Sequence, residues 1–339
     1  FISCGTKNKE YANNVFPYSQ FPQEKELKGE VIELDTALFR YPFRIRIEGD
    51  KAIVLDLHGS DYYGHLFQYP SFRYLSSFGR RGDSPLEMLS MENFRLHNHT
   101  LWTLDANKSE LTRLDFSSSG DSLLREETVA LDEDILRPLD FAIYNDTTFV
   151  IPDYSGESRF LKVDCKGKLI EKIGTIPTTN KKALQEARPA LAQAWRSFLD
   201  YNSHNSVLAT VTQLGEVVEI YNLKDSTHVI RVGEYDEPEF KVSDGYGIPT
   251  GIMGFSDVQV TDDAIYAVFH GTSFKDIARQ SGRLPDGGKY IYVFSLKGEP
   301  LCKYVLDHYI YGIWVDEVTK TIMATDVNND QPILKFSFG

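Results

Sequence analysis

Cysteine is scarce in this chain, and its placement gives no support for a disulfide-stabilised fold. The 339 residues contain 3 cysteines, whereas a disulfide framework is recognised by several cysteine pairs in a short chain. Cys165 follows one apolar strand, and Cys302 lies inside another that is distant in the sequence. We therefore expect no bridge between these two residues.

Long apolar runs and an excess of basic residues are also absent. No apolar run reaches the length that is needed to span a membrane. Acidic residues outnumber basic ones by 49 to 36, so the formal net charge is -13. Because a charge of this sign repels a polyanion, we expect no nucleic-acid partner and no direct attraction to an anionic membrane surface.

The motifs of common catalytic chemistries are missing as well. The sequence has no Gly-x-Ser-x-Gly elbow, no His-Glu-x-x-His, no Cys-x-x-Cys pair and no glycine-rich phosphate loop with lysine. Its 8 histidines are dispersed along the chain. These absences favour a protein that binds without catalysing a reaction and that needs no cofactor.

What the sequence does contain is a repeat, with apolar strands returning six times at a period of roughly 50 residues, the length of a four-stranded propeller blade. The second strand of each repeat lies at 52–56, 101–105, 149–153, 207–211, 265–269 and 322–326. The third strand lies at 65–69, 111–115, 160–164, 218–222, 290–294 and 333–337. The pattern predicts an all-β fold, a six-bladed β-propeller.

The last repeat ends without a fourth strand, and an unpaired sheet edge of this kind is prone to aggregation. Residues 31–35, upstream of the first repeat, have the apolar pattern of the missing strand. We therefore predict that 31–35 pairs with 333–337 and closes the ring.

The chain opens with Phe1-Ile2-Ser3-Cys4-Gly5, which resembles the end of a bacterial lipobox, where a cysteine after a small residue becomes lipidated. This resemblance implies a lipid anchor on Cys4, followed by a polar tether that contains Pro17 and Pro22. The expected division is therefore 1–29 as lipobox remnant and tether, and 30–339 as propeller.

One motif is specific to a family. Residues 78–88, Phe-Gly-Arg-Arg-Gly-Asp-Ser-Pro-Leu-Glu-Met, follow the first repeat. They resemble the Phe-Gly-basic-x-Gly-x-Gly-Pro-Gly-Glu-Phe element of bacterial TolB-like and NHL-like six-bladed propellers, although Ser84 and Leu86 replace two glycines. The resemblance covers 30–339 as architecture. It implies an envelope location, as in lipoproteins of Bacteroidetes, but no single activity.

Three long insertions are expected on one face of the propeller. They span 177–197, 233–256 and 270–289, in positions where the antiparallel strand order brings all three to the same side. The first is rich in alanine and predicts a short helix near 180–197, which Asn180 can cap and Pro189 should split. Because long loops on a rigid scaffold commonly carry binding, this face is the predicted binding surface.

Four aspartates end second strands at the insertion face: Asp56, Asp105, Asp153 and Asp326. One interpretation is a Ca²⁺ site in the central channel, as in some propeller lactonases. The other is that each aspartate caps its own turn by accepting backbone N–H bonds. Val211 and Phe269 replace the aspartate in two repeats, which favours the second interpretation.

Five further residues on the insertion face are candidates for binding a ligand. Trp195 and Tyr246 offer aromatic surface, and His58 and His270 offer ring nitrogens. Arg279 offers a guanidinium for a carboxylate, a phosphate or an acidic sugar.

The function predicted from these features is an envelope-anchored propeller that binds a small molecule, glycan, peptide or envelope protein through the insertion face. Two alternatives from other classes stay open. One is a metal-dependent lactonase or hydrolase centred on the aspartates, and the other is a structural scaffold of an envelope complex.

Overall fold

Six sheets follow one another along the chain in the computed structural model, which describes residues 12–35 and 39–339. Three short strands come first: β1 (Val15–Pro17), β2 (Gln23–Leu27) and β3 (Glu30–Ile32). Blade one contains β4 (Pro42–Glu48), β5 (Lys51–Asp56), β6 (Tyr62–Gln68) and β7 (Arg73–Arg80). Blade two contains β8 (Met91–His97), β9 (Thr100–Asp105), β10 (Glu110–Phe116) and β11 (Leu123–Ala130). Blade three contains β12 (Ala142–Asn145), β13 (Thr148–Pro152), β14 (Phe160–Asp164) and β15 (Leu169–Ile173).

The second half of the chain carries the insertions between and inside its blades. Helices α1 (Lys181–Glu186) and α2 (Arg188–Ala194) precede blade four, which contains β16 (Ser197–Asn202), β17 (Val207–Thr212), β18 (Val217–Asn222) and β19 (Thr227–Val232). A hairpin of β20 (Phe240–Ser243) and β21 (Tyr246–Pro249) follows. Blade five contains β22 (Phe255–Val260), β23 (Ala264–Phe269), helix α3 (Phe274–Gln280), β24 (Gly288–Ser295) and β25 (Pro300–Ile310). Blade six contains β26 (Ile313–Asp316), β27 (Thr321–Thr325) and β28 (Ile333–Ser337). No helix in the two described ranges is long and apolar enough to cross a membrane.

The second strand of each blade is almost entirely apolar because neighbouring blades cover both of its faces. Ile53, Val54 and Leu55 of β5 are all fully buried, and every residue of β17 and β23 is buried. Fully covered strands have continuous apolar runs, whereas strands with one wet face alternate. This is why the second-strand repeat was readable, and the predicted six-bladed propeller is confirmed.

Strand β3 completes blade six and closes the ring. It pairs antiparallel with β28, with Ile32 opposite Ile333 and Val31 opposite Leu334. The observed strand is shorter than the predicted 31–35, but the backbone N–H of Leu34 still donates to the side-chain oxygen of Gln331 at 2.8 Å. Strand β3 and the C-terminal strand therefore lie in one sheet, and the predicted ring closure is confirmed.

The segment expected to be a tether is instead part of the ring from residue 12 onward. β1 pairs in parallel with β19, the outer strand of blade four, and β2 pairs in parallel with β25, the outer strand of blade five. The prediction of a solvated tether is wrong here because outer strands offer unpaired N–H and C=O groups, which the segment satisfies. Cys4 and the rest of residues 1–11 lie outside the described residues, so its lipidation stays a prediction.

Charged side chains of the innermost strands fill the centre of the channel. Arg46 donates two hydrogen bonds to the carboxylate of Asp257, at 3.0 and 3.1 Å. Arg95 donates to Asp140 at 2.7 Å and also to the carbonyl oxygen of Leu199. Burial raises the pKa of Asp257, but Arg44 and Arg46 more than offset this effect, so that pKa lies below its ordinary value.

Carboxylates of the inner region also join successive blades from the third to the sixth. Asp140 accepts from the backbone N–H of Leu199 at 2.9 Å, and Asp200 accepts from that of Val260 at 2.8 Å. Asp257 accepts from that of Ile313 at 2.9 Å. Blades three to six are thus linked in series through the inner strands.

Ring closure leads to the first prediction, which compares two truncated proteins. Removing residues 1–29 deletes β1 and β2, whereas removing residues 1–35 also deletes β3 and the buried side chain of Leu34. The longer truncation should melt roughly 5–15 °C below the shorter one, since the lost pairing and burial amount to several kcal/mol. Equal melting temperatures by calorimetry would show that β3 does not close the ring.

The channel network leads to the second prediction. Asp257→Asn removes the negative charge facing two buried arginines, so the free energy of unfolding should fall by about 3–5 kcal/mol. Denaturant titration measures this loss. Replacing Lys172, which pairs with Glu157 on the surface, is the matched control, and its unfolding curve should be unchanged because exposed pairs are weak. A wild-type curve for Asp257→Asn would contradict the role of the network.

Candidate functional site

The three insertions emerge on one side of the ring and contact one another; this side is the insertion face. The N–H of Gly247, in the second insertion, donates to the side-chain oxygen of Gln193 in the first at 3.0 Å. The N–H of Met253 donates to the carbonyl of Thr272, in the third, at 2.8 Å. The insertions therefore form a continuous surface rather than separate loops.

Local sequence explains the shape of each insertion. Asn180 caps α1 by accepting from the N–H of Ala183, and Pro189 opens α2, so the helix is split as predicted. The second insertion is rich in glycine at 245–254 and forms a hairpin whose turn residues Asp244 and Gly245 have φ of 51° and 82°. Two left-handed residues in a two-residue turn suit the twist of a hairpin, which the glycine count alone did not reveal.

The four aspartates at the ends of second strands cap loops and do not assemble into a metal site. Asp56 accepts from the N–H groups of Tyr41, Arg40 and His58. The other three carboxylates each accept two or more hydrogen bonds from nearby loop residues: Asp105, Asp153 and Asp326. Each lies one strand outward from the channel, so the proposed central ring of carboxylates is wrong. Within residues 12–35 and 39–339, no three or more His, Cys, Asp or Glu side chains are placed to hold a metal ion.

The other predicted residues are scattered over the insertion face. Trp195 is 1% exposed and packs with Leu191 and Val217 in the core, so the prediction that it stacks on a ligand is wrong. His58 is exposed and lies against the ring of Tyr41. Arg279 is exposed on α3.

His270 and Tyr246 are the two predicted residues that border concave surface. His270 borders a cleft of about 540 Å³ between blades four and five, which we call the strap cleft because residues 18–22, the strap between β1 and β2, form one wall. Tyr246 borders a separate pocket near α2.

Aromatic rings from the strap, blade five and the second insertion line part of the strap cleft. Tyr18 and Phe21 of the strap contact Tyr292 of β24 edge-on or at a tilt, with ring centroids 6.4 and 4.7 Å apart. Tyr235 of the second insertion is 51% exposed and lies against Phe269. The rings thus support one another, while part of their surface stays open to solvent.

Carboxylates supply the polar groups of the cleft. Glu216 is buried, and its two oxygens accept from the hydroxyl of Tyr18 at 2.8 Å and from the N–H of Tyr235 at 3.1 Å. Burial raises the pKa of this carboxyl above its ordinary value. Glu24 and Glu234 also border the cleft.

Two cationic or basic groups complete the site. The ammonium of Lys303 lies 3.2 Å from Glu24 and 4.7 Å from the ring centre of Tyr290. Burial lowers the pKa of His270 to about 4, so the ring is neutral near pH 7. Its Nε2 atom is buried and has no hydrogen-bond partner in the described part of the chain.

The cleft brings together groups whose ordinary chemistry suits ring-shaped or cationic solutes. Open aromatic faces attract sugar rings and ammonium groups, and carboxylates accept hydrogen bonds from both. The ammonium group of Lys303, which lies against one ring and one carboxylate, shows within the protein how a cationic solute could be held. Three carboxylates against one lysine leave an excess of negative charge, which disfavours anions.

Most residues of this cleft were not predicted from the sequence. The prolines of residues 15–22 favour a tether when only the sequence is considered. The closely spaced aromatic residues of this segment were the available signal, since a solvated tether has little use for them. Glu216 carried no sequence signal, because a lone glutamate after a strand is typical of solvent-exposed loops.

Comparison with known proteins agrees with this architecture. A structure of a Bacteroides fragilis protein described as exported superposes with a TM-score of 0.59 at 12% identity, covering 95% of this chain and 98% of that chain. A member of the DUF4221 family from Bacteroides vulgatus gives 0.58 at 10% identity, covering 93% and 96%. An auxiliary nutrient binding protein from Bacteroides ovatus gives 0.55 at 10% identity, covering 88% and 70%. No curated protein matches the chain.

At such identities the structural likeness shows the fold alone. The match to a family model is independent of it, because it rests on the amino-acid sequence. That model, described as TolB-like 6-blade propeller-like, matches residues 20–318. The match includes the second half of the strap, all of blades one to five and the start of blade six. The chain therefore belongs to the TolB-like six-bladed propeller family, as residues 78–88 suggested.

Proposed function

We propose that this protein is a non-enzymatic binding protein of the bacterial cell envelope, anchored through Cys4, which holds a small polar solute in the strap cleft. The observation that carries the proposal is the cleft itself, where open aromatic rings and buried, oriented polar groups converge. Ligand sites are commonly concave and largely apolar with a few oriented polar groups, in volumes of about 300–1,000 Å³. The strap cleft has this size, and its walls combine aromatic rings with a larger share of polar surface, which suits a polar solute.

Two of the structurally similar proteins support the biological setting. One is described as exported and another as an auxiliary nutrient binding protein, both from Bacteroides. Capture of a nutrient outside the cell is consistent with a propeller whose three long insertions lie together on one face. A neutral sugar or an amine is the ligand class that the walls of the cleft favour.

Ligand screening provides the first test of this function. Isothermal titration with neutral monosaccharides and oligosaccharides, alkyl amines and acidic sugars should detect binding only in the first two classes. Tyr235→Ala should weaken the affinity roughly three- to tenfold, because one open aromatic face is worth about 0.5–1.5 kcal/mol. Tyr62→Ala, which removes an exposed tyrosine of blade one, should bind as the parent does. Equal binding by all three proteins would place the ligand elsewhere.

Acidification provides the second test. Because burial raises the pKa of Glu216, its carboxylate takes up a proton at a higher pH than an exposed glutamate does, and a cationic ligand then loses its partner. Affinity for an amine should therefore fall as the pH drops from 7 toward 5, before His270, with a pKa of about 4, begins to charge. Glu216→Gln should bind weakly at every pH in that range. A parent protein whose affinity is constant across it would contradict the role of Glu216.

A further inference from the structure

A second pocket lies on the insertion face, away from the strap cleft. It has a volume of about 280 Å³ and lies between the linker that joins blades two and three, helix α2 and the tip of the β20–β21 hairpin. Its walls include Leu136, Tyr154, Pro189 and Tyr246. We call it the arginine pocket, because Arg137 and Arg196 also border it.

The walls of the arginine pocket are held in place by close packing. The hairpin rests on α2 so tightly that a Cβ atom on Gly247 would lie 2.4 Å from the carbonyl oxygen of Ala190. On the opposite side, a Cβ on Gly156 would lie 2.7 Å from the carbonyl oxygen of Arg188. The backbone at both positions therefore packs directly against α2, and a larger residue there would have to displace it. This packing holds α2 and the hairpin tip in position beside the pocket.

The two arginines are the unusual feature of this pocket. Neither guanidinium makes a hydrogen bond or an ion pair within the described ranges of the chain, whereas the channel arginines Arg46 and Arg95 are fully engaged. Arg196 is half-buried and lies near enough to lower the pKa of Tyr154, although burial of that phenol raises it overall. In a chain with a net charge of -13, two unpaired guanidinium groups at one concave site are a local exception.

The ring of Tyr246 completes the site. It is 60% exposed at the hairpin tip, opposite the apolar surface of Leu136 and Pro189. An exposed ring beside apolar carbon offers a surface for a flat or apolar body, while guanidinium groups bind carboxylates with paired hydrogen bonds. The pocket thus offers an apolar surface and a cationic surface side by side.

From this geometry we infer that the arginine pocket binds a small carboxylate with a ring-shaped or apolar body, whose carboxylate lies between Arg137 and Arg196 and whose body lies against Tyr246. The volume accommodates a single ring with a short acidic side chain. This site is separate from the strap cleft in position and opposite to it in charge. It stands whether or not the strap cleft binds a solute.

Phenylacetate is a suitable probe, with phenylacetamide and acetate as its neutral and ring-free counterparts. By isothermal titration at low salt, the parent protein should bind phenylacetate at least tenfold more tightly than either counterpart. Arg196→Gln and Arg137→Gln should each reduce the affinity for phenylacetate about tenfold or more, since a charge-assisted hydrogen bond is lost. Tyr246→Ala should weaken phenylacetate but leave acetate unchanged.

Arg188→Gln is the matched control, because Arg188 begins helix α2, which borders the pocket, but donates to the carbonyl of Leu184 outside the pocket. This variant should bind phenylacetate as the parent does, and all variants should keep the parent's binding at the strap cleft. The inference is overturned if phenylacetate does not bind at millimolar concentration, if phenylacetamide binds equally well, or if Arg188→Gln loses as much affinity as Arg196→Gln.

Discussion

Buried charge at the centre of the ring is the constraint on which the rest of this structure depends. Asp140, Asp200 and Asp257 each accept a backbone N–H from the inner strand of the following blade. Arginines of blades one and two form ion pairs with two of these carboxylates, Arg46 with Asp257 and Arg95 with Asp140. Moving such charges out of water is costly, and the cost is offset only when their geometry is well satisfied. A blade that shifted along the axis would break these bonds, so the network fixes the relative height of the blades.

Filling the channel also decides where a ligand has room to bind. Arg44 is 1% exposed and is stacked between Phe43 and Phe198, with guanidinium-to-ring distances of 3.9 and 4.4 Å. The axis is therefore occupied by protein, and open concave surface lies off the axis, where the insertions and the strap add walls. This explains why the aspartates at the ends of second strands form no axial site, whereas concave surface lies among the insertions. The strap serves two purposes here, because the segment that covers the outer edges of two blades also forms one side of a cleft.

Structural features that follow a repeated apolar pattern could be predicted from the sequence, and features without such a pattern could not. The buried second strands and the closing strand 30–32 follow a local pattern that a single sequence displays. By contrast, Arg46 and Asp257 alternate with apolar residues on inner strands. The same alternation is typical of a strand with one solvent-exposed face, so the sequence pattern does not distinguish the two. Only the closure of the ring turns that face inward. Trp195 illustrates the same limit, since an aromatic residue at the end of a helix is equally consistent with a ligand platform and with the core position it occupies.

The two concavities differ in sign, and this difference limits what each can bind. The long-range field of a chain with a charge of -13 repels any carboxylate that approaches. Affinity in the arginine pocket must therefore come from contacts at short range, where Arg137 and Arg196 act directly on the ligand. Salt screens both the distant repulsion and the local attraction, so the two effects oppose each other and leave a shallow salt dependence. In the strap cleft both effects favour a cation, so an amine there should lose affinity steeply with salt. Dependence on ionic strength thus separates the two sites without any substitution.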